Sequence, residues 1–397
     1  MSDRPAVVYL SYDGMAEPLG QSQVIGYLEQ LATEYRIFLV SFEKKKDRDE
    51  TTKVAYVRDR LAKACIAWTP LTYHKAPSAP ATAYDIAVGS TVGLRIALRE
   101  KARIVHARSY PPALMSLAVK RLSGAKFLFD MRGLWADERV DGGLWPRDGA
   151  LYRATKSLER NFLLAADHVV TLTHASEREI AGFTYLAGRK PPISVIPTCA
   201  DLTRFAPQPR PDGPFTFGYV GSVGTWYLFD ETLAFFRALL WRRPDARMLV
   251  INRSEHDVIR AVAARNGVDA DRLELVAAEH RDVPGLIARM DIAAALIKPV
   301  YSKLASAPTK LAEYLGCGVP CLGNIDVGDM EAVLEGERVG VALRNFSESS
   351  MAEAADRMLA LSSEPGARAR CTAVANRLFS LEQGVADYRA IYRSLVA

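Results

Sequence analysis

No stretch of this 397-residue sequence approaches the ~20 consecutive apolar residues that a helix needs to cross a bilayer, which argues against a membrane-spanning helix. Cysteine is scarce. Cys65, Cys199, Cys317, Cys321 and Cys371 are scattered, and no C-x-x-C occurs, so neither a disulfide framework nor a zinc ribbon is expected. The six histidines form no H-x-x-x-H or H-E-x-x-H, and no G-x-S-x-G is present, so zinc hydrolase and serine hydrolase signatures are missing. The start, MSDRPAVVYLSYDG, lacks the charge-then-apolar design of a secretory leader, and a cytoplasmic protein is expected. What is present is ordinary for a globular chain: 49% hydrophobic and 24% charged residues, enough for two domains with separate cores.

The charge is unevenly distributed. Residues 1–200 hold 28 Lys and Arg against 21 Asp and Glu, whereas residues 201–397 hold 23 against 25. A basic first half suits an anionic partner such as a membrane surface or a lipid-linked phosphate, so peripheral contact with the inner membrane face is expected. Its clusters are Lys44, Lys45, Lys46 and Arg48, then Arg95, Arg99, Lys101 and Arg103. These basic residues are not interleaved with aromatics in a recognisable nucleic-acid module, and no nucleic-acid partner is expected.

Short apolar runs alternate with helical periodicity throughout. Strands are expected at 7–11, 37–42, 65–71, 104–107, 126–130, 168–172 and 193–196, and after residue 214 at 215–220, 248–251, 273–276, 292–297 and 339–343. Each half opens on a strand, a glycine loop and a helix. This pattern predicts an α/β protein with doubly wound sheets, whose ligands gather at the strands' carboxyl ends. Residues 201–214, DLTRFAPQPRPDGP, hold four prolines and read as the linker, giving domains 1–205 and 206–380. The glycines of the second half are spaced Gly218-x-x-Gly221-x-x-Gly224, and no acidic residue closes the following strand, so a nicotinamide cofactor is not expected. Two D-x-D triplets, Asp47–Asp49 and Asp269–Asp271, lie in polar segments, and no metal is expected at either.

One stretch carries the sharpest chemistry: residues 296–324, LIKPVYSKLASAPTKLAEYLGCGVPCLGN. A helix is expected to open near Ser306, with Ser306 as its cap and Pro308 in its first turn. The amides of Ala307, Pro308's neighbour Thr309 and the Thr309 hydroxyl, the positive helix end and the Lys310 ammonium then converge on an anion such as a diphosphate. Glu313, one turn deeper, is placed to accept hydrogen bonds from sugar hydroxyls. The alternative is a capped helix with a Lys310–Glu313 surface pair. In the first half, the loops His106–Pro112 and Asp130–Arg139 follow strands directly, and the second packs five ionisable side chains into ten residues.

The motif Ser306-x-Pro308-Thr309-Lys310-x-x-Glu313, followed by Gly318-x-Pro320, resembles the donor-binding segment of family-4 retaining glycosyltransferases of the GT-B fold. The segments FDMRGLWADERVDGGLW and SYDGMAEPLGQSQVIGYL resemble further blocks of the same subset. The family's usual first glutamate falls on Ala305 here, and the glycine loop SVGTWY lacks the Arg and Lys that the family commonly offers to the diphosphate. The resemblance implies two Rossmann-like domains facing across a cleft, with the terminal helix 381–397 packing back on the first. It implies transfer of a sugar from a nucleotide donor to a glycan or lipid-linked acceptor, with retention and without metal or other cofactor, in cell-surface polysaccharide or glycoconjugate synthesis. On that basis Asp130, Arg132, Lys310 and Glu313 are the catalytic candidates. Donor-binding candidates are Gly221, Ser222, Val223, Asn252, Arg253, Lys298, Lys303, Ser306, Ala307, Pro308, Thr309, Lys310 and Glu313. Acceptor-binding candidates are Gly14, Glu17, Gly20, Gln21, Arg108, Asp130, Arg132, Trp135, Asp137 and Glu138. Two other functions fit the same fold: a sugar-nucleotide epimerase, and an inactive nucleotide-sugar-binding module.

Overall fold

The computed structural model describes residues 4–397, which separate into two compact units. The first comprises residues up to 197 together with 381–397, and the second comprises 198–380.

The first unit is built on a seven-stranded parallel sheet of order β3-β2-β1-β4-β5-β6-β7. Its strands are β1 (Ala6–Ser11), β2 (Arg36–Glu43), β3 (Ala67–Thr72), β4 (Ile104–Arg108), β5 (Lys126–Asp130), β6 (His168–Thr171) and β7 (Ile193–Val195). The central strands β1 and β4 are buried along their whole length. That explains why they read as continuous apolar runs rather than alternating ones, since helices cover both faces of a parallel sheet. Val8 pairs with Phe38 on one side and Val105 on the other, which aligns the carboxyl ends of β1, β2 and β4. The two basic clusters lie at opposite ends of this sheet. Lys44–Arg48 follow the carboxyl end of β2, whereas Arg99, Lys101 and Arg103 precede the amino end of β4. Either can face an anionic surface only from its own end.

The second unit has a six-stranded parallel sheet, β10-β9-β8-β11-β12-β13. These are β8 (Thr216–Val220), β9 (Arg247–Ile251), β10 (Leu273–Val276), β11 (Ile292–Ala294), β12 (Cys321–Asn324) and β13 (Gly340–Leu343). Met290 packs so close to β8 that a methyl group on Gly218 would lie 2.0 Å from its sulfur, so this glycine serves packing.

Two local expectations are corrected. The division falls at Pro197/Thr198 rather than within the proline-rich stretch, because Ala200 and Phe205 are buried in the core of the second unit. The strand expected over 292–297 ends at Ala294, and Ile297 makes only an isolated bridge to Tyr227. Cys65 is exposed, whereas the other four thiols are buried. Among the described residues no helix is long and apolar enough to cross a membrane.

Candidate active site

In the second unit the carboxyl ends of β8, β9 and β11 converge on the amino end of the helix Thr309–Gly316. This helix begins later than its sequence suggests. Pro308 is its N-cap, without a side-chain cap bond, and Ser306 instead closes a short 3-10 turn over Tyr301–Ala305. Ser306 therefore is not the helix cap, since the turn Tyr301–Ala305 holds its amide on the Lys303 carbonyl. The Leu311 amide bonds back to the Pro308 carbonyl, and the first turn presents the amides of Thr309 and Lys310.

Lys310 is buried at 6% exposure, and its Nζ makes no hydrogen bond with any described residue. It lies 4.3 Å from the centroid of the Tyr219 ring and 3.9 Å from that of Tyr227. Burial lowers its pKa to about 7, against small opposing effects of Cys321 and Glu313. Glu313 shows the mirror image. Burial raises its carboxyl to about 7, opposed by Lys310 and Arg204. No ion pair joins the two among the described residues, which removes the surface-pair alternative. A buried amine held only by ring faces is costly: cation–π contact returns about 2 kcal/mol where the cation is desolvated, against a desolvation penalty of several kcal/mol.

The glycine loop lies against this amine. Gly221 has φ +106°, and a methyl group there would sit 3.5 Å from Lys310 Nζ. The positive φ favours glycine, and a side chain there would meet the amine only at ordinary contact distance. The other loop groups already have partners. Ser222 Oγ donates to Glu255 at 3.0 Å and the Val223 amide to the same carboxylate at 3.2 Å. Asn252 Nδ2 donates to the Gly221 carbonyl at 3.0 Å and to Glu255 at 2.7 Å. Asn252, Ser222 and Val223 thus hold the loop's shape through Glu255, a residue that no sequence motif singles out. Lys303 is buried with its Nζ 3.8 Å from the Trp226 centroid. Lys298 is exposed, and Arg253 pairs with Glu279 at 2.8 Å. The loop that lacks Arg and Lys therefore contributes Trp226 and Tyr227, whose rings lie against Lys303 and Lys310.

In the first unit a second cluster sits at the carboxyl ends of β1, β4 and β5. Asp130 is 1% exposed, and its Oδ2 accepts a hydrogen bond from Tyr388 at 3.0 Å. His106 Nε2 lies 3.6 Å away, Arg108 Nη1 3.8 Å, and Arg132 Nη1 lies 3.8 Å from Oδ1. Burial raises the Asp130 carboxyl, but Arg132, His106 and Arg108 outweigh it and the net shift is downward. Burial lowers the pKa of His106, whose Nδ1 meets the Tyr392 hydroxyl at 2.8 Å. Both tyrosines come from the terminal helix Leu381–Val396, which belongs to this unit. Arg108 Nε donates to Asp13 at 3.2 Å. Ser109 and Arg132, the residues following β4 and near the end of β5, have φ of +72° and +59°. Non-glycine residues in that region cost roughly 1–3 kcal/mol and concentrate at functional sites.

The β1 loop folds over itself beside this cluster. Methyl groups on Gly14 and Gly20 would lie 2.9 Å from Glu43 and 2.1 Å from the Gly14 carbonyl. The Met15 and Ala16 amides donate to the buried Glu43 carboxylate at 2.8 and 3.2 Å, and Glu17 pairs with Lys44 at 2.6 Å. Gln21 opens a five-residue π-helical segment, Gln21–Ile25, within the helical stretch that follows. Such segments occur often at functional sites. Trp135 packs against Tyr110 and Trp145, 5.7 and 5.4 Å between centroids, with Arg139 over its ring at 4.7 Å. Asp137 is buried and bonded to Tyr152 at 2.8 Å and Lys156 at 3.0 Å, so it braces the following helix. Glu138 is half-buried near Gly133. Asp269 and Asp271 are exposed before β10, and Asp47 lies near Lys53. No group of three or more His, Cys, Asp or Glu with metal-binding geometry occurs among the described residues.

Comparison with solved structures places this architecture. The chain superimposes over 99% of its length on 99% of the sucrose-phosphate synthase of Thermosynechococcus elongatus, with TM-score 0.73 and 14% identity. The fold is GT-B. A glycosyltransferase from Rickettsia africae gives TM-score 0.74 at 14% identity, over 100% of this chain and 99% of that one. Anabaena HepE, solved with UDP and glucose, gives 0.68 at 13%, over 98% and 99%. At such identities the likeness establishes the GT-B fold alone. Independently, residues 29–199 match the model of the glycosyl transferase 4-like domain, which spans most of the first unit. No curated protein sequence matches the chain.

Proposed function

We propose that the protein is a glycosyltransferase that takes its sugar from a nucleoside-diphosphate donor, with the diphosphate on Lys310 and the first turn of the helix Thr309–Gly316. The observation that carries this is the Lys310 ammonium, buried and without a hydrogen bond to any described residue, beside the glycine loop at the helix terminus. A cation in that state gains most from an anion, and the helix terminus adds to it. The match of residues 29–199 to a glycosyl transferase 4-like domain and the UDP in HepE support the reading.

In this mechanism the departing nucleoside diphosphate develops negative charge, and Lys310, Lys303 and the amides of Thr309 and Lys310 stabilise it. Movement of the Tyr227 ring on the glycine loop would open the Lys310 amine to the phosphates. Glu313 would accept hydroxyl hydrogen bonds from the donor sugar, and Ser306 stands near the family's other glutamate position. The first unit would orient an acceptor hydroxyl with Arg108 and Arg132, both fixed by Asp130. Retention of configuration, and a glycan or lipid-linked acceptor, follow from the resemblance of the Ser306–Glu313 motif.

The test is a thermal-shift panel of UDP-, GDP-, dTDP- and CMP-sugars. Saturating one true donor at about 100 times its Kd stabilises the folded state by about 2.7 kcal/mol. Lys310→Ala and Glu313→Ala are expected to abolish that shift and the transfer. Wild-type transfer by both variants would remove the assignment. Incubation with donor alone, followed by product analysis, separates transfer from epimerisation: a changed donor sugar would indicate an epimerase.

A further inference from the structure

A second polar cluster lies at the carboxyl edge of the first sheet and takes no part in the sites described above. Asp85, on the helix Ser78–Glu100, is 1% exposed. Its Oδ2 accepts hydrogen bonds from the Tyr12 hydroxyl at 2.9 Å and the His74 amide at 3.0 Å, and its Oδ1 lies 2.6 Å from His74 Nδ1. Three donors on one buried carboxylate offset its desolvation and fix the imidazole with Nδ1 as the donor. His74 Nε2 is then the ring nitrogen that Asp85 does not engage. The imidazole side chain is 43% exposed, and Nε2 has no hydrogen-bond partner among the described residues.

The surroundings of that nitrogen are aromatic. Tyr84 is 59% exposed. Its ring stands at 85° to the imidazole with 5.3 Å between centroids. Tyr12 and Tyr73 continue the aromatic surface, 5.3 Å apart. An exposed ring beside a perpendicular, oriented imidazole forms a corner. Its floor suits the C–H face of a pyranose, and its wall suits one hydroxyl of that ring. A staple between the loop after β3 and its helix needs the Asp85 bonds, but not the exposed Tyr84 ring or the outward Nε2.

We propose that Tyr84 and His74, with Tyr12 and Tyr73 beside them, form a saccharide-binding subsite for the acceptor. This rests on the transferase reading, and it commits the acceptor to carrying a sugar ring. Tyr12 follows β1 directly, so the subsite adjoins the loop Tyr12–Gly20.

The experiment is saturation-transfer NMR on the full chain with methyl glycosides of glucose, galactose, mannose, rhamnose and N-acetylglucosamine in both anomers. Tyr84→Ala and His74→Gln are run beside wild type, with the nucleotide-sugar thermal-shift panel on all three. The glutamine retains a donor to Asp85, so each variant is expected to melt within about 2 °C of wild type. At least one glycoside is expected to bind wild type and to lose tenfold or more in affinity in both variants, with the nucleotide response unchanged. Absence of glycoside binding in wild type, or equal binding in the variants, overturns the subsite. Glycoside binding lost in the variants, with no nucleotide response in any protein, would leave the subsite standing and remove the donor reading instead.

Discussion

Lys310→Met is expected to raise the melting temperature of the ligand-free protein while eliminating binding of the nucleoside diphosphate. Methionine matches the lysine stem in length and packs favourably against Tyr219 and Tyr227. What the substitution removes is a buried ammonium that lies against two ring faces and has no hydrogen-bond partner among the described residues. Replacing a buried charge by a well-packed apolar group stabilises by about 1–4 kcal/mol, and two ring contacts return part of that to the lysine. For a unit of this size each kcal/mol corresponds to about 2–4 °C. A lysine kept only for packing would behave oppositely: its loss would lower the melting temperature or leave it unchanged. Opposed changes in stability and binding identify a residue held at a structural cost for a ligand.

The sign of the pH dependence follows from the shifts. Lys310 titrates at about 7 when folded against an ordinary 10.5, so between those values the unfolded chain holds the extra proton and stability rises with pH. Glu313 titrates at about 7 against 4.5, so between those values the folded chain holds the extra proton and stability falls as pH rises. Both penalties overlap near neutrality. The advantage of Lys310→Met over wild type is therefore largest below about pH 7 and shrinks toward pH 9, measured by calorimetric melting across that range.

Asp130→Ala is expected to have the largest destabilising effect in the first unit. The carboxylate is the common partner of His106, Arg108, Arg132 and Tyr388, and Arg108 is itself 4% exposed. Removing one member of a buried charged cluster costs about 3–5 kcal/mol, because the remaining charge is left without its counterpart. Asp130→Asn keeps a group for Tyr388 and loses only the charge, so a smaller loss is expected. Tyr388→Phe removes one hydrogen bond and costs about 1 kcal/mol. Because the folded pKa of Asp130 is depressed, its stabilisation is present above the ordinary carboxylate range and is lost as pH falls through the folded value. Urea unfolding of the three variants at pH 7 and at pH 4 measures the series. Equal stability of Asp130→Ala and wild type would show that the cluster is not the keystone of this end of the sheet.

Much of the molecule was legible in the sequence because parallel strands buried on both faces announce themselves as apolar runs. Twelve of the thirteen strands could be read this way, all but Cys321–Asn324, and Lys126–Asp130 and Leu273–Val276 agree with the structure to the residue. Boundaries set by long-range packing were not legible. Phe205 looks like linker and is core, because Gly316 leaves room for it: a methyl group there would lie 2.6 Å from the Phe205 carbonyl. The site was half legible. Lys310 and Glu313 stood out by type and spacing, yet nothing local says that Lys310 is buried and Glu313 half-buried. No local pattern marks Tyr219, Trp226, Tyr227, Glu43 or Glu255. Their roles arise where separate strand ends meet. Tyr388 and Tyr392 were visible only as an apolar stripe, since a periodicity cannot reveal that hydroxyls at two of its positions reach Asp130 and His106.

The most direct test of the diphosphate assignment is isothermal titration of the nucleoside diphosphate that gives the largest thermal shift, at pH 7.5 and pH 9. Over this interval the phosphates are already largely ionised, whereas the empty site must take up a proton on Lys310 to bind them. Affinity is expected to fall by about tenfold per pH unit in wild type, and to be lost at both pH values in Lys310→Met. Equal affinity at the two pH values, or undiminished binding by Lys310→Met, would contradict a diphosphate resting on this amine.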